Sequence, residues 1–295
     1  MALPKTFKKT IIRKKTPLVS IIIPVYNEER DIVACLESIK DQTYKKVETI
    51  IIDDGSKDKT LEVVKSFGGI RVYKQDHQGP GQARNLGAKM AKGEILLFID
   101  ADMILFSDYV VKIISPIIKN KTLGAIESIQ YNFHKTKIQE CWGDVVRVKH
   151  LKGINSETVR AIAKKDFLGL GGFDKKYGYG DDQTFFLKYG LKFLIVEDVK
   201  CYHKTPQDFK GVFKQSKWIG ASLEAGYMKH RSVRLISPLA LLIISPISLV
   251  ILTIKKLIEV KKAKLIPWMF IFMIARYFGT IYGIFSREYL KNNTR

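Results

Sequence analysis

The sequence predicts an α/β fold, a mostly parallel sheet flanked by helices, followed by a C-terminal apolar region. Three observations carry this expectation. Apolar runs alternate with helical periodicity through the first hundred residues, three of those runs end in polar residues, and two long apolar segments lie near the end of the chain. Short runs rich in branched side chains are the pattern of strands buried on both faces. Sheets built from alternating strands and helices are wound right-handedly and bind ligands outside the carboxyl ends of their strands.

Val19 to Val25 is the first strand, closed by Pro24 and the turn Tyr26-Asn27, and Ile32, Leu36 and Ile39 mark one face of the helix after it. Val47 to Asp53 is the second strand, ending in Asp53-Asp54-Gly55-Ser56, and Leu61 and Val64 mark the next helix. A short strand, Ile70 to Tyr73, precedes Gly79-Pro80-Gly81, which opens a helix carrying Ala83, Leu86 and Met90 and ended by Gly93. The apolar run from Glu94 then delivers Asp100-Ala101-Asp102. Side chains on a strand alternate, so Asp100 and Asp102 are expected on one side. Two like charges at a sheet lip call for a cation, and a divalent metal carrying a diphosphate fits. Asn27-Glu28, Asp53-Asp54 and Asp100-Asp102 thus converge on one crevice. Neither a Gly-x-Gly-x-x-Gly turn nor a Walker lysine loop follows the first strand, which disfavours a dinucleotide fold and an NTPase.

At 295 residues the chain exceeds a usual single domain. It divides by composition into a basic tail (1–16), a globular part (17–227) and a C-terminal region (228–295). Within that region 235–254 carries no charged residue and 265–285 carries only Arg276. Each is about the length needed to cross a hydrocarbon core of ~30 Å, so two membrane helices are expected, with an in-plane hairpin as the alternative for helices that contain Pro238, Pro246 and Pro267. The net charge of +21 points to anionic lipid rather than nucleic acid. Its basic residues lie in the tail (Lys5, Lys8, Lys9, Arg13, Lys14, Lys15) and before the first apolar segment (Lys229, Arg231, Arg234), where each is attracted to anionic head groups by about 1 kcal/mol. Lys255, Lys256, Lys261, Lys262 and Lys264 crowd the loop between the segments and leave the topology open. The tail lacks the apolar core of a signal peptide, so the globular part is expected on the cytoplasmic side of the cell membrane. Cys35, Cys141 and Cys201 have neither disulfide nor zinc spacing and are expected in the core of a protein in a reducing compartment.

Four pieces in order, Val19-Ser20-Ile21-Ile22-Ile23-Pro24-Val25-Tyr26-Asn27-Glu28-Glu29, Asp53-Asp54-Gly55-Ser56, Ala83-Arg84-Asn85-x-Gly87 and Ile99-Asp100-Ala101-Asp102, resemble the donor half of a family 2 glycosyltransferase with a GT-A fold. The resemblance covers roughly residues 17 to 225. It implies a nucleotide base near Pro24, Tyr26, Glu28 and Asp53, a diphosphate approached by Arg84, a ribose and donor sugar facing Asp100, and Mn²⁺ or Mg²⁺ held by Asp102. These residue types suit those tasks: carboxylates accept from ribose hydroxyls, a guanidinium forks onto phosphate, and hard cations take oxygen ligands. Asp54 and Ala101 belong to the same donor motifs.

Further on, Gly171-Gly172-Phe173-Asp174 and Tyr177-Gly178-Tyr179-Gly180-Asp181-Asp182-Gln183 resemble the family's glycine-rich loop and acidic pair, with Asp181 where glutamate is usual. This implies an acceptor beside Gly180, Asp182 as the base of an inverting reaction and Asp181 as its secondary partner. A sugar hydroxyl needs such a base, whereas an ionised phosphate acceptor does not. His203 ends a strand where GT-A enzymes often place a third metal ligand. Gln215-Ser216-Lys217-Trp218 resembles the Gln-x-x-Arg-Trp signature of processive synthases, with lysine for arginine and one intervening residue fewer, and implies Gln215 and Trp218 at the acceptor; an interfacial helix with Phe209, Phe213 and Trp218 toward lipid is the alternative. Two membrane segments make a poor export channel, so single transfer is expected. The expected function is metal-dependent inverting transfer of one sugar from a UDP- or GDP-sugar to a hydroxyl of a glycolipid or lipid-linked saccharide. The alternatives are a polyprenyl-phosphate glycosyltransferase, a processive synthase and a non-catalytic membrane-docking protein.

Overall fold

The computed structural model describes residues 3–4, 7–13, 15–133, 135–148, 155–222, 253–254, 258 and 263–286. Its elements are β1 (Val19–Val25), α1 (Ile32–Lys40), β2 (Val47–Asp53), α2 (Thr60–Lys65), β3 (Ile70–Lys74), α3 (Pro80–Met90), β4 (Ile95–Phe98), β5 (Met103–Leu105), α4 (Tyr109–Ile118), β6 (Gly124–Asn132), α5 (Lys137–Glu140), β7 (Val145–Val148), β8 (Asn155–Ser156), β9 (Ala161–Ala163), α6 (Lys164–Gly169), α7 (Thr184–Tyr189), β10 (Phe193–His203), α8 (Phe209–Ser222) and α9 (Ile266–Ser286). Of the first expected apolar helix only Thr253 and Ile254 are described. The rest of 235–252 lies outside the described residues, as do Lys5, Lys14, Lys229, Arg231, Arg234, Lys255, Lys256, Lys261 and Lys262.

The chain divides into two compact units. The first comprises Met1–Gln130, Arg147–Lys175 and Asp181–His203. Its sheet runs β3-β2-β1-β4-β9-β6-β10-β5. β1, β2, β3 and β4 are parallel, as the alternation of strands and helices predicts, while β9 lies antiparallel to β4 and β6, and β10 antiparallel to β5. The central strands β1 and β4 are buried on both faces. In β1, Val19, Ile21, Ile23 and Val25 pack with Ile32, Leu36 and Ile39 of α1 and Ile113 and Ile117 of α4, while Ile22 joins Ala83, Ala88, Phe98 and Phe167 on the other face. Each fully buried branched or aromatic side chain contributes about 1.5–3 kcal/mol, which is why an uninterrupted apolar run stays in a central strand. On α3 the buried residues are Gly81, Ala83, Arg84, Gly87 and Ala88, whereas Met90 is exposed. All three cysteines are buried thiols.

The second unit comprises Tyr131–Val146, Lys176–Gly180 and Lys204–Arg295. Here α9 lies along α8, and Ile138, Cys141, Val212, Leu265, Met269 and Phe272 form the core. Small residues let the two helix backbones touch: a Cβ on Gly220 would meet the Thr280 carbonyl, and one on Gly283 the Lys217 carbonyl. Phe209 stacks on Trp268 with ring centroids 6.3 Å apart, and Phe213 sits 6.2 Å from Tyr282. Both phenylalanines therefore meet α9, which corrects the expectation that they face lipid. Arg276 lies 4.8 Å over the Trp142 ring and 5.7 Å over that of Phe272, a packing role for the lone charge of this segment. Among the described residues no helix is long and apolar enough to cross a membrane. The spanning helix expected at 265–285 is thereby corrected: α9 buries one face in protein and carries Arg276, Tyr277, Thr280 and Tyr282 along its length.

Candidate active site

The carboxyl ends of β1, β2 and β4 build one half of the site. Asp53, at the end of β2, is buried and accepts from the Ser56 N–H at 2.9 Å, which closes the turn. Asp54 accepts from the Gln78 and Gly79 amides at 2.8 Å and from Gln75 Nε2 at 2.7 Å, and its Oδ2 lies 2.9 Å from His77 Nδ1. Both oxygens are taken, so Asp54 anchors the loop that starts α3 rather than offering an oxygen to a donor, a correction to its expected role. His77 also stacks on Tyr26 with centroids 4.1 Å apart. Pro24 is on β1 opposite Ile52, and the next residue but two, Asn27, has a positive φ of 58° that turns the chain toward Glu28. Burial, with Asp102, Asp31 and Asp100 adding to it, pushes the Glu28 carboxyl up to about 8.

Asp100, Ala101 and Asp102 stand in the tight turn between β4 and β5, closed by the Met103 N–H on the Asp100 carbonyl at 3.0 Å, rather than on a continuing strand. The turn, not strand alternation, brings the two carboxylates together, and it buries the small Ala101. One oxygen of Asp100 accepts from Arg84 Nη2 at 2.6 Å and the other from Arg160 Nη1 at 2.8 Å. Burial opposes its charge, but Arg160 and Arg84 outweigh that effect and hold it well below the usual carboxylate range. Arg84 also donates from Nη1 to Asp181 at 3.2 Å, while its buried Nε has no hydrogen-bond partner among the described residues. Asp102 faces His203, with Oδ1 3.2 Å from Nε2. Burial works against a charged His203 ring, and Asp102 overcomes it and raises the ring's titration.

Asp100, Asp102 and His203 can each turn one ligand atom within 4.8 Å of the others. Because two guanidiniums already claim Asp100, Asp102 and His203 are the pair open to a divalent ion, and a mixed oxygen and imidazole set suits Mn²⁺ better than Mg²⁺. The residues present thus fit the expected metal.

Asp181 and Asp182 differ sharply. Asp181 is buried against the first turn of α3, where a Cβ on Gly81 would collide with its carboxylate; that close approach explains the glycine. Burial pushes Asp181 up to about 7, against the pull of Arg84 and with help from Asp182 and Asp100. Asp182 is half-buried, and no side-chain hydrogen bond or ion pair to it occurs among the described residues. Gly180, Gln215 and Trp218 belong to the second unit, the last two one turn apart on α8. Four residues of the first unit went unanticipated: His77, Glu127, Gln130 and Arg160. Glu127 and Gln130 lie on β6, whose sequence Gly-Ala-Ile-Glu-Ser-Ile-Gln-Tyr-Asn mixes polar and apolar residues too freely to single them out.

The sheet is mixed rather than mostly parallel, parallel from β1 to β4 and antiparallel at β9, β10 and β5, and with the acidic turn and the imidazole at its strand ends it has a GT-A-like fold. Residues 20–170 match the description Glycosyl transferase family 2, and the chain belongs to that family. It is 39% identical over 99 residues to the "Putative glycosyltransferase EpsH" of Bacillus subtilis, a match covering 32% of this chain and 29% of that protein. The first three curated relatives are covered over 29%, 41% and 61% of their own lengths, less than two thirds in each case. Among solved structures, the mannosyltransferase PcManGT of Pyrobaculum calidifontis, in complex with GDP-Man and Mn²⁺, superposes with a TM-score of 0.60 at 18% identity, over 96% of this chain and 92% of that one. TarS 1-349 of S. aureus, in complex with UDP, gives 0.53 at 16% identity, over 90% of each chain. At those identities the likeness is one of fold.

Proposed function

We propose that the chain is a metal-dependent, inverting glycosyltransferase that moves one sugar from a UDP- or GDP-sugar to a hydroxyl of a glycolipid or lipid-linked saccharide at the cytoplasmic surface of the membrane. The observation that carries this reading is the Asp100, Asp102 and His203 cluster at the carboxyl edge of the sheet, beside the Asp53 turn. Asp53, at the carboxyl end of β2, would accept from a base N–H, and the Tyr26 and His77 rings offer a stacking face. Mn²⁺ between Asp102 and His203 would neutralise the donor diphosphate. Asp182 takes the acceptor proton as the hydroxyl oxygen attacks the anomeric carbon, and the nucleoside diphosphate departs. Arg84, with a buried Nε to spare, is placed to favour the charge that develops on the leaving phosphate.

A membrane-presented acceptor is supported by α9, where Ile266, Phe270, Ile274, Phe278 and Tyr282, four residues apart in turn, form an exposed apolar row. Such a row suits insertion at the head-group boundary rather than spanning. Hydrolysis of a panel of UDP- and GDP-sugars with Mn²⁺ or Mg²⁺ tests the reading. One donor should be hydrolysed well above the others with Mn²⁺ present, and no turnover of any donor in either metal would refute it.

A further inference from the structure

Beneath the candidate metal ligands, the first unit holds a line of buried polar groups that ends on His203. Glu127 and Gln130 of β6 are 1% and 2% exposed, and Tyr109 of α4 is fully buried. Glu127 accepts from the Tyr109 hydroxyl at 2.9 Å and from Gln130 Nε2, and lies 3.6 Å from Arg160 Nε. Gln130 Oε1 lies 3.4 Å from His203 Nδ1. A carboxylate at this depth costs several kcal/mol unless it is partnered, and these contacts supply the partners.

We infer that Glu127 and Gln130 are positioning residues for the divalent ion: Glu127 orients the Gln130 amide, and Gln130 holds His203 with Nδ1 protonated and Nε2 turned toward Asp102. The inference rests on the reading of Asp102 and His203 as metal ligands. The hydrogen-bond roles follow from chemistry alone. Ionised Glu127 can only accept, so the Gln130 atom against it is the NH₂ group and the atom against His203 is the carbonyl oxygen. That oxygen also only accepts, so the ring nitrogen facing it is an N–H. The lone pair left for a cation is therefore on Nε2, the nitrogen that faces Asp102. Tyr109 and Arg160 hold Glu127 from two further sides and fix its carboxylate against the amide. Outer partners of this kind commonly change metal affinity by about 10- to 100-fold when removed.

The test is Mn²⁺ binding to the full chain in the presence of UDP or GDP, followed by the electron paramagnetic resonance of free Mn²⁺. His203→Ala and Gln130→Leu should each weaken Mn²⁺ binding by about 10- to 100-fold. In the double variant Gln130→Leu should add less than about twofold, since its effect passes through the ring. Glu127→Gln, of unchanged size, frees the Gln130 amide to present either end; it should weaken Mn²⁺ binding in the wild-type background and not in His203→Ala, and it serves if Gln130→Leu fails to fold. Unchanged Mn²⁺ affinity in His203→Ala would overturn the ligand reading and the inference together. Loss in His203→Ala, with no loss in either β6 variant or with equal loss in both backgrounds, would overturn the inference and leave the ligand reading intact.

Discussion

Asp181 and Asp182 are neighbours in sequence and occupy opposite environments, one sealed against α3 and clamped by Arg84, the other open. The open carboxylate is the one that can reach an acceptor proton. Asp182→Asn should lower turnover by about 10²- to 10⁴-fold, or about 3–5 kcal/mol of barrier, with donor affinity nearly unchanged; near-normal turnover with the true acceptor would favour a phosphate acceptor instead. Asp181 carries a different signature. Its proton is held more tightly in the folded chain, at about 7 against an ordinary 3.8, so its contribution to stability is complete below about 3.8 and is lost as the pH rises through about 7. An amide in its place cannot ionise, so the melting temperature of Asp181→Asn should gain on the wild type between those two pH values. A constant difference across the range would show that Asp181 is ionised throughout.

At the scale of elements, β1 to β4 and the helices between them were legible because periodicity and turn residues agree there. Val19–Val25 and Val47–Asp53 match the strands residue for residue. What sequence could not show is where partners come from. Arg160 reaches Asp100 from sixty residues away, and Arg84, on a helix with few apolar residues, has the pattern of a solvated position although it is buried. Asp100 and Asp102 do lie close together, as expected, but a turn and not strand alternation pairs them. In the second unit the glycines of α8 and α9 were invisible as contacts because nothing in their spacing names the partner helix. Gly283→Val should destabilise this helix pair by about 1–3 kcal/mol, measured by thermal or denaturant unfolding, because the new side chain drives into the Lys217 carbonyl. An unchanged unfolding midpoint would show that α8 and α9 do not pack this closely.

For the whole molecule, the proposed docking on anionic lipid draws on the net charge of +21 and the apolar row on α9. Phe270 and Phe278 are 49% and 56% exposed, so replacing them spares the core. Each buries enough area on docking to be worth about 1.5–3 kcal/mol, so Phe270→Ser and Phe278→Ser should each weaken flotation with anionic vesicles by about tenfold or more. Undiminished flotation would move the docking surface to other residues of the chain. The central claim, however, is that the acidic turn after β4 binds a metal-complexed nucleotide. Calorimetry of UDP and GDP binding, with and without Mn²⁺, tests it most directly. The wild type should bind one of them far more tightly with Mn²⁺ present, and Asp102→Ala should keep only the weaker, metal-independent affinity; Mn²⁺ dependence that survives in Asp102→Ala would contradict the account.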